Sequence, residues 1–363
     1  MVDNKQSTYE ILRSIRRLLH VLVFISLGVL FYFAKDIIMP ITLGVLITLT
    51  LSPVVRFLTR AWIPPAVAAL LVVMTAGGFL GMGVYALSEP LNDVVSSLPR
   101  MGDEIKSKLK PYRSSLNSIS EATKQVEELT NSVGEEKPRT VAIEQPPILS
   151  VAASSVAGGV TSFALAFVLA LFMLSSGRLF YEKIVGITPV LSEKKKALRI
   201  VLDVESNVSR YLLTITVINA LLGIVIGLAL YYYGMPNAML WGAIAAVFNF
   251  LPFIGAFIGA GLVTAVSMGV FDTLSAALIP GGIYLACSMT EGNLLTPMIV
   301  GRRLEINTVV VFLSVAIWAW LWGIVGALMA VPILVVVKVL ADHVESWKIF
   351  GDFLSAQTKP VID

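Results

Sequence analysis

The chain reads as an all-α polytopic membrane protein, with about six full spans plus two re-entrant or broken helical hairpins, or eight spans. A small helical extracytoplasmic insertion completes it. Three observations predict this class. Of 363 residues, 56% are hydrophobic and 14% charged, against roughly 45–50% and about 25% in globular domains. Mean hydropathy is +0.84. The stretches 18–34, 37–55, 61–88, 145–177, 211–271, 273–290 and 306–337 hold no Asp, Glu, Lys or Arg and cover more than half of the chain. A membrane-crossing helix needs roughly 20 mostly apolar residues. Soluble-enzyme, disulfide-scaffold and nucleic-acid-binding classes are thereby excluded.

The first segment, 1–87, is expected to hold three spans. Arg13, Arg16 and Arg17 precede the apolar run from Val21 to Ala34. No small-residue cleavage site follows, so the run reads as an uncleaved span. Arg56 and Arg60 lie between the second and third spans. Together with Lys183, Lys194, Lys195, Lys196 and Arg199 of the loop 178–210, these charges place the N-terminus and that loop in the cytoplasm. The tyrosines Tyr231, Tyr232 and Tyr233 fit an interfacial belt on the opposite side.

Parity puts the polar insertion 88–147 outside. Within it Leu91, Leu98, Ile105, Tyr112, Ile119, Val126 and Val133 recur every seven residues, a pattern of amphipathic helices. Pro99 and Pro111 are expected to cut it into pieces, with Gly134–Pro147 as a linker back to the membrane. The insertion either packs on neighbouring protomers or lies on the membrane surface. A fourth span occupies 148–177.

The transport region, 211–340, carries the motifs. Its uncharged stretch 211–271 is interrupted at Asn249 and Pro252, followed by Gly255. Irregular backbone at membrane depth is tolerated where it is buried in protein or lines a water-filled cavity. The segment from Leu240 to Ala246 (LWGAIAA) resembles that from Leu321 to Ala327 (LWGIVGA), each followed by a proline, Pro252 and Pro332. Paired interrupted segments point to a transporter's substrate site. Hairpins at 237–271 and 306–337 keep Arg302, Arg303 and Lys338 inside. The tail 341–363 is then cytoplasmic, as is the N-terminus.

Glu291 is the leading site candidate, because an acidic group beside the membrane interior marks an ion or proton path or pairs with a base. Desolvation disfavours its charged form. Structural alternatives are a helix cap or a pair with Arg302 or Arg303. Thr290, Asn293 and Thr296 add oxygen ligands nearby, and Asn249 sits beside a helix break. Asn219 reads as an interhelical hydrogen bond and Asp272 as an interfacial charge. The helix-break and gate candidates are Pro252, Gly255, Pro297, Trp322, Gly323 and Pro332, with Trp318 and Trp320 in an anchoring cluster. Gly77-x-x-x-Gly81, Gly223-x-x-x-Gly227 and Gly255-x-x-x-Gly259 are close-packing faces. With one cysteine, Cys287, and two histidines, His20 and His343, no metal site is expected. No cofactor is expected either, since no nucleotide-binding motif is present.

NFLPFIG at 249–255, EGNLLTPMIVGRRL at 291–304 and WGIVGALMAVP at 322–332, with the order of spans, resemble the autoinducer-2 exporter family of bacterial permeases. The resemblance carries over Asn249, Pro252, Gly255, Glu291, Asn293, Pro297, Gly301, Trp322, Gly323 and Pro332. It implies a bacterial inner-membrane transporter that forms a homo-oligomer, with a pentamer suggested, and substrates of furanone-signal or sodium/proton type.

The expected function is a secondary transporter that exports a small polar metabolite on an ion or proton gradient. Its partners would be that solute or a monovalent cation, and membrane lipid. A monovalent-cation/proton antiporter and an oligomeric channel are the alternatives. No paired catalytic groups lie at membrane depth, so no enzyme is expected.

Overall fold

The computed structural model describes residues 2–128, 148–177, 191–252, 254–300, 306–344 and 347–356. The linker 134–147, the first part of the basic loop and Arg302–Arg303 lie outside them. The described residues are helical, apart from turns and one isolated bridge between Ile306 and Ser355. In order the helices are α1 (Val2–Phe33), α2 (Lys35–Arg60), α3 (Pro65–Glu128), α4 (Ile148–Ser176) and α5 (Leu191–Tyr233). Then come α6 (Ala238–Phe248), α7 (Ile254–Val270), α8 (Leu274–Thr290) and a π-helical turn, Glu291–Leu295. After it follow α9 (Thr296–Val300), α10 (Thr308–His343) and α11 (Lys348–Leu354). By length and composition five stretches are long and apolar enough to cross a membrane: Leu12–Phe33, Lys35–Arg60, Pro65–Ser97, Val201–Tyr233 and Thr308–His343, the last of which is bent at Gly323. These make the chain a multi-pass membrane protein.

Two expectations need correction. α3 runs through Pro99 and Pro111 without a break, so the insertion's first part is one helix and not pieces. A proline deletes a single backbone bond, and the turns on either side can hold the helix together. Residues 191–210 of the expected basic loop are the first turns of α5. They bury Glu205 and Ser209.

Contacts divide the chain into two compact units. One comprises Met1–Val73, Gly158–Leu212 and Glu305–Asp363; the other comprises Met74–Ala157 and Leu213–Leu304.

In the first unit, Val55 of α2 packs with Ala68, Ala69, Val72 and Val73 of α3 and Leu174 of α4. The long apolar side chains of α1, such as Leu18, Leu22 and Ile25, are exposed, as a lipid-facing helix requires. α10 is the unit's main surprise. Gly323 has φ 65°, ψ −146°, a conformation essentially restricted to glycine. There the chain folds back on itself. Ser314 donates to the Ala330 carbonyl at 3.3 Å, although a straight helix would separate residues 16 apart by about 24 Å. A Cβ on Gly326 would stand 2.1 Å from the Trp318 carbonyl oxygen. The arms 308–322 and 324–343 are therefore an antiparallel hairpin, with Pro332 buried in the second arm. Trp322 stacks on Phe31 at 6.2 Å and donates to its carbonyl at 3.3 Å. Trp320 stacks on Tyr32, so the tryptophans anchor α1. The tail docks as well: Asn307 N–H donates to the Leu354 carbonyl at 2.9 Å.

In the second unit, α5 and α6 reverse through Gly234 (φ 87°) and Asn237 (φ 53°). Their small-residue faces then meet. A Cβ on Gly223 would lie 2.5 Å from the Gly242 carbonyl oxygen, and one on Gly242 would lie 2.4 Å from that of Gly223. Backbone approach of this kind, and not bulk, holds apolar helices together in lipid. After Phe248 the helix breaks, and α7 starts so close that a Cβ on Gly255 would lie 1.8 Å from the Phe248 carbonyl oxygen. α7 and α8 pair tightly: Gly259 sits against the buried Tyr284 ring, and Ser267 donates to the Ala277 carbonyl at 2.5 Å. Trp241, Ile226, Leu230, Val263 and Tyr284 form the core.

The two LWG segments differ locally. Gly242 is an interior helix residue and its break follows near Pro252, whereas Gly323 is itself the turn and Pro332 is helical. Shared letters here do not encode a shared bend, because packing against Gly223 holds Gly242 in its helix.

Candidate functional site

The site is assembled in the second unit, by three elements that converge on one carboxylate. Glu291 is 5% exposed. It opens the π-helical turn Glu291–Leu295, in which the Thr296 N–H bonds to the Glu291 carbonyl. In an α-helix, position i+5 would lie about 140° around the axis from position i. The widened turn brings Thr296 beneath Glu291 instead, and the Thr296 hydroxyl donates to Oε1. Single π-turns of this kind recur at functional sites.

The other carboxylate oxygen faces the α6–α7 break. Asn249 lies just past the end of α6, so its side chain is free of the helix surface. Its Nδ2 donates to Glu291 Oε2 at 3.1 Å and to Asn219 Oδ1 of α5 at 2.8 Å. Asn219 is 2% exposed, and its own Nδ2 has no hydrogen-bond partner among the described residues. An unsatisfied buried donor costs about 1–3 kcal/mol. No ion pair among the described residues involves Glu291. Among the described residues its charge is met by one hydroxyl and one amide.

The remaining candidates fall elsewhere. Thr290 is exposed and donates to the Ala286 carbonyl, and Asn293 is exposed with its amide on the Met289 carbonyl. Both are spent on their own helix. Pro252 lies in the α6–α7 break, Gly255 is the close approach beyond it, and Pro297 is exposed on α9. Trp322, Gly323 and Pro332 belong to the first unit and build its hairpin. Among the described residues no group of His, Cys, Asp and Glu is placed to hold a metal ion.

The first unit contains a polar cluster that residue-by-residue reading missed. Glu205 is 8% exposed; its Oε1 accepts from Ser52 at 2.8 Å and pairs with Arg56 at 3.4 Å. The signal was periodic. Thr48, Ser52 and Arg56 stand four apart along α2, as do Glu205 and Ser209 along α5, and positions four apart share a helix face. Read as loop charges, Arg56 and Glu205 gave no hint of each other.

A buried carboxylate met by an amide at a helix break, in a multi-pass helical protein, is an arrangement that membrane transporters use. The AI-2E family transporter profile matches residues 19–346, and the chain belongs to that family. It is 28% identical to the AI-2 transport protein TqsA of Escherichia coli K12, over 94% of this chain and 95% of TqsA. To the putative transport protein YhhT of the same organism it is 28% identical over 84% of each chain. To the putative transport protein YrrI of Bacillus subtilis it is 26% identical, over 85% of this chain and 87% of YrrI.

Proposed function

We propose that this chain is a secondary transporter that exports a small polar solute against a proton or monovalent-cation gradient, with Glu291 as the carrier of the coupling ion. The observation that carries the reading is Glu291 itself. It is buried, it is held at both oxygens by neutral donors, and no charged partner among the described residues compensates it. Full compensation in such surroundings requires a proton or a cation. The helix break at 249–252 and the π-turn supply backbone that can rearrange around a ligand. AI-2, the solute in TqsA's name, is the first to test. We extend the reading to the inner membrane and to a homo-oligomer, both implied by the family resemblance; native mass spectrometry checks the assembly.

The test is solute movement in proteoliposomes under an imposed pH gradient, wild type against Glu291→Gln. Gradient-driven movement in the wild type and its loss in the variant support the reading. Equal rates remove Glu291 from the mechanism.

A second reading, monovalent-cation/proton antiport, is favoured by one observation: Glu291 and Thr296 place carboxylate and hydroxyl oxygens side by side, a donor set that suits a hard cation. Proton efflux driven by sodium in vesicles free of organic solute would select it.

A further inference from the structure

The unpartnered Asn219 amide is the end of a chain that starts at the Glu291 carboxyl. Asn249 Nδ2 spends both of its hydrogens, one on Glu291 Oε2 and one on Asn219 Oδ1. Asn219 Nδ2 is left buried with no partner among the described residues. A side-chain amide presents two donors at one end and an acceptor at the other, and a half-turn exchanges them with little change in shape.

With Glu291 ionised, Oε2 only accepts. Asn249 must turn its NH2 toward it, Asn219 must turn its carbonyl toward Asn249, and the outer end of Asn219 is a donor. With a proton on Oε2, the carboxyl becomes the donor. Asn249 then offers its carbonyl, whose second lone pair takes a hydrogen from Asn219. Asn219 turns its NH2 inward and leaves its carbonyl at the outer end. The Thr296 hydroxyl donates to Oε1 in either state. One proton gained or lost at Glu291 therefore reverses hydrogen-bond polarity at Asn219, two side chains away.

We propose that Asn219 is the ligand-reading end of this amide relay. With Glu291 ionised it donates to a carbonyl-type oxygen of the solute, and protonation of Glu291 turns an acceptor toward that oxygen and expels it. This rests on the reading of Glu291 as proton carrier, and it supplies the coupling that exchange of one proton for one solute requires. It also sets the ligand chemistry: an oxygen acceptor is favoured at Asn219 in the ionised state, and a bare cation is repelled there.

Charged groups are sparse along the described helices that hold the relay, and α3, whose Val94 packs on the same core, brings Glu89 and Asp93. Residues 211–290, which span most of the membrane part of α5 and all of α6, α7 and α8, hold one charged residue, Asp272, at the α7–α8 turn. Their other titratable groups are Tyr211, Tyr231, Tyr232, Tyr233, Tyr284 and Cys287.

The test is infrared difference spectroscopy of the full-length protein in lipid nanodiscs, with asparagine side chains labelled with carbon-13, titrated over its stable pH range. The relay predicts a protonated-carboxyl band that is absent in Glu291→Gln, with asparagine carbonyl bands that shift at the same midpoint. Asn249→Leu should keep the carboxyl band and lose the Asn219 shift. Asparagine bands that stay still while Glu291 titrates overturn the relay, as does an Asn219 shift that survives in Asn249→Leu. Absence of any Glu291 band overturns both relay and carrier. The carrier reading fails separately if Glu291→Gln still transports while the wild-type infrared shifts are present.

Discussion

Two buried glutamates, one in each unit, invite comparison. Glu205 and Glu291 are nearly equally shielded, at 8% and 5% exposed, and each accepts from a hydroxyl, Ser52 or Thr296. They differ in the other partner. Glu205 has a guanidinium at 3.4 Å, whereas among the described residues Glu291 has the amide of Asn249 in that place. The guanidinium offsets the charge of its carboxylate within the fold and joins α2 to α5. An amide contributes a dipole and leaves the charge open to a mobile ion. Burial alone does not separate the two glutamates; the kind of compensation does, and the proposed carrier role rests on that difference.

The contrast breaks most sharply at Glu291. Glu291→Gln keeps the size, and both hydrogen bonds once Asn249 turns its carbonyl to the new amide, but removes the ionisable group, so transport should fall by about two orders of magnitude, equivalent to about 2.8 kcal/mol of barrier. Thermal unfolding in detergent should stay within a few degrees of wild type or rise. A large fall in melting temperature would make Glu291 structural, like Glu205.

The converse variant is Glu205→Ala. It removes the Ser52 bond, the Arg56 pair and buried volume at once, and should cost about 2–3 kcal/mol of stability. Transport per folded molecule should hold. Half of the Arg56 side chain lies in solvent, at 45% exposed, so Arg56→Ala should cost less, about 1 kcal/mol or under. Chemical denaturation in detergent ranks the two.

Thr296→Val deletes one neutral hydrogen bond to Glu291. A loss of about 1 kcal/mol, near fivefold in transport rate, is expected. Asn293→Ala should change transport least, within experimental scatter, since its amide already bonds the Met289 carbonyl of its own helix. A strong Asn293→Ala defect would return that residue to the site.

What was legible in advance follows the physics of each signal. Glu291 and Asn249 stood out because a polar side chain in an uncharged stretch has no cheap explanation. The small-residue face Gly223-x-x-x-Gly227 was legible for the same reason, since glycine in an apolar helix has few uses besides close approach, whereas its partner Gly242 was read only as part of the LWG segment. Thr296 was named for its oxygen, but its contact depends on a π-turn that no residue spacing announces. Glu205 stayed hidden because a carboxylate in a basic stretch reads as a solvated loop charge; only the tertiary meeting of α2 and α5 buries it. Pro99 and Pro111 misled in the opposite direction, because a proline weakens a helix without always ending it. Gly323 and Pro332 were both named as candidate breaks within 306–337; the pivot is Gly323, since a left-handed φ reverses a chain where a missing hydrogen bond only kinks it.

The most direct measurement is proton movement in proteoliposomes with an internal pH dye, driven by an opposed gradient of the transported solute, for wild type, Glu291→Gln and Glu205→Gln. The account predicts that wild type and Glu205→Gln move protons and that Glu291→Gln does not. Proton movement in Glu291→Gln at the wild-type rate would contradict it.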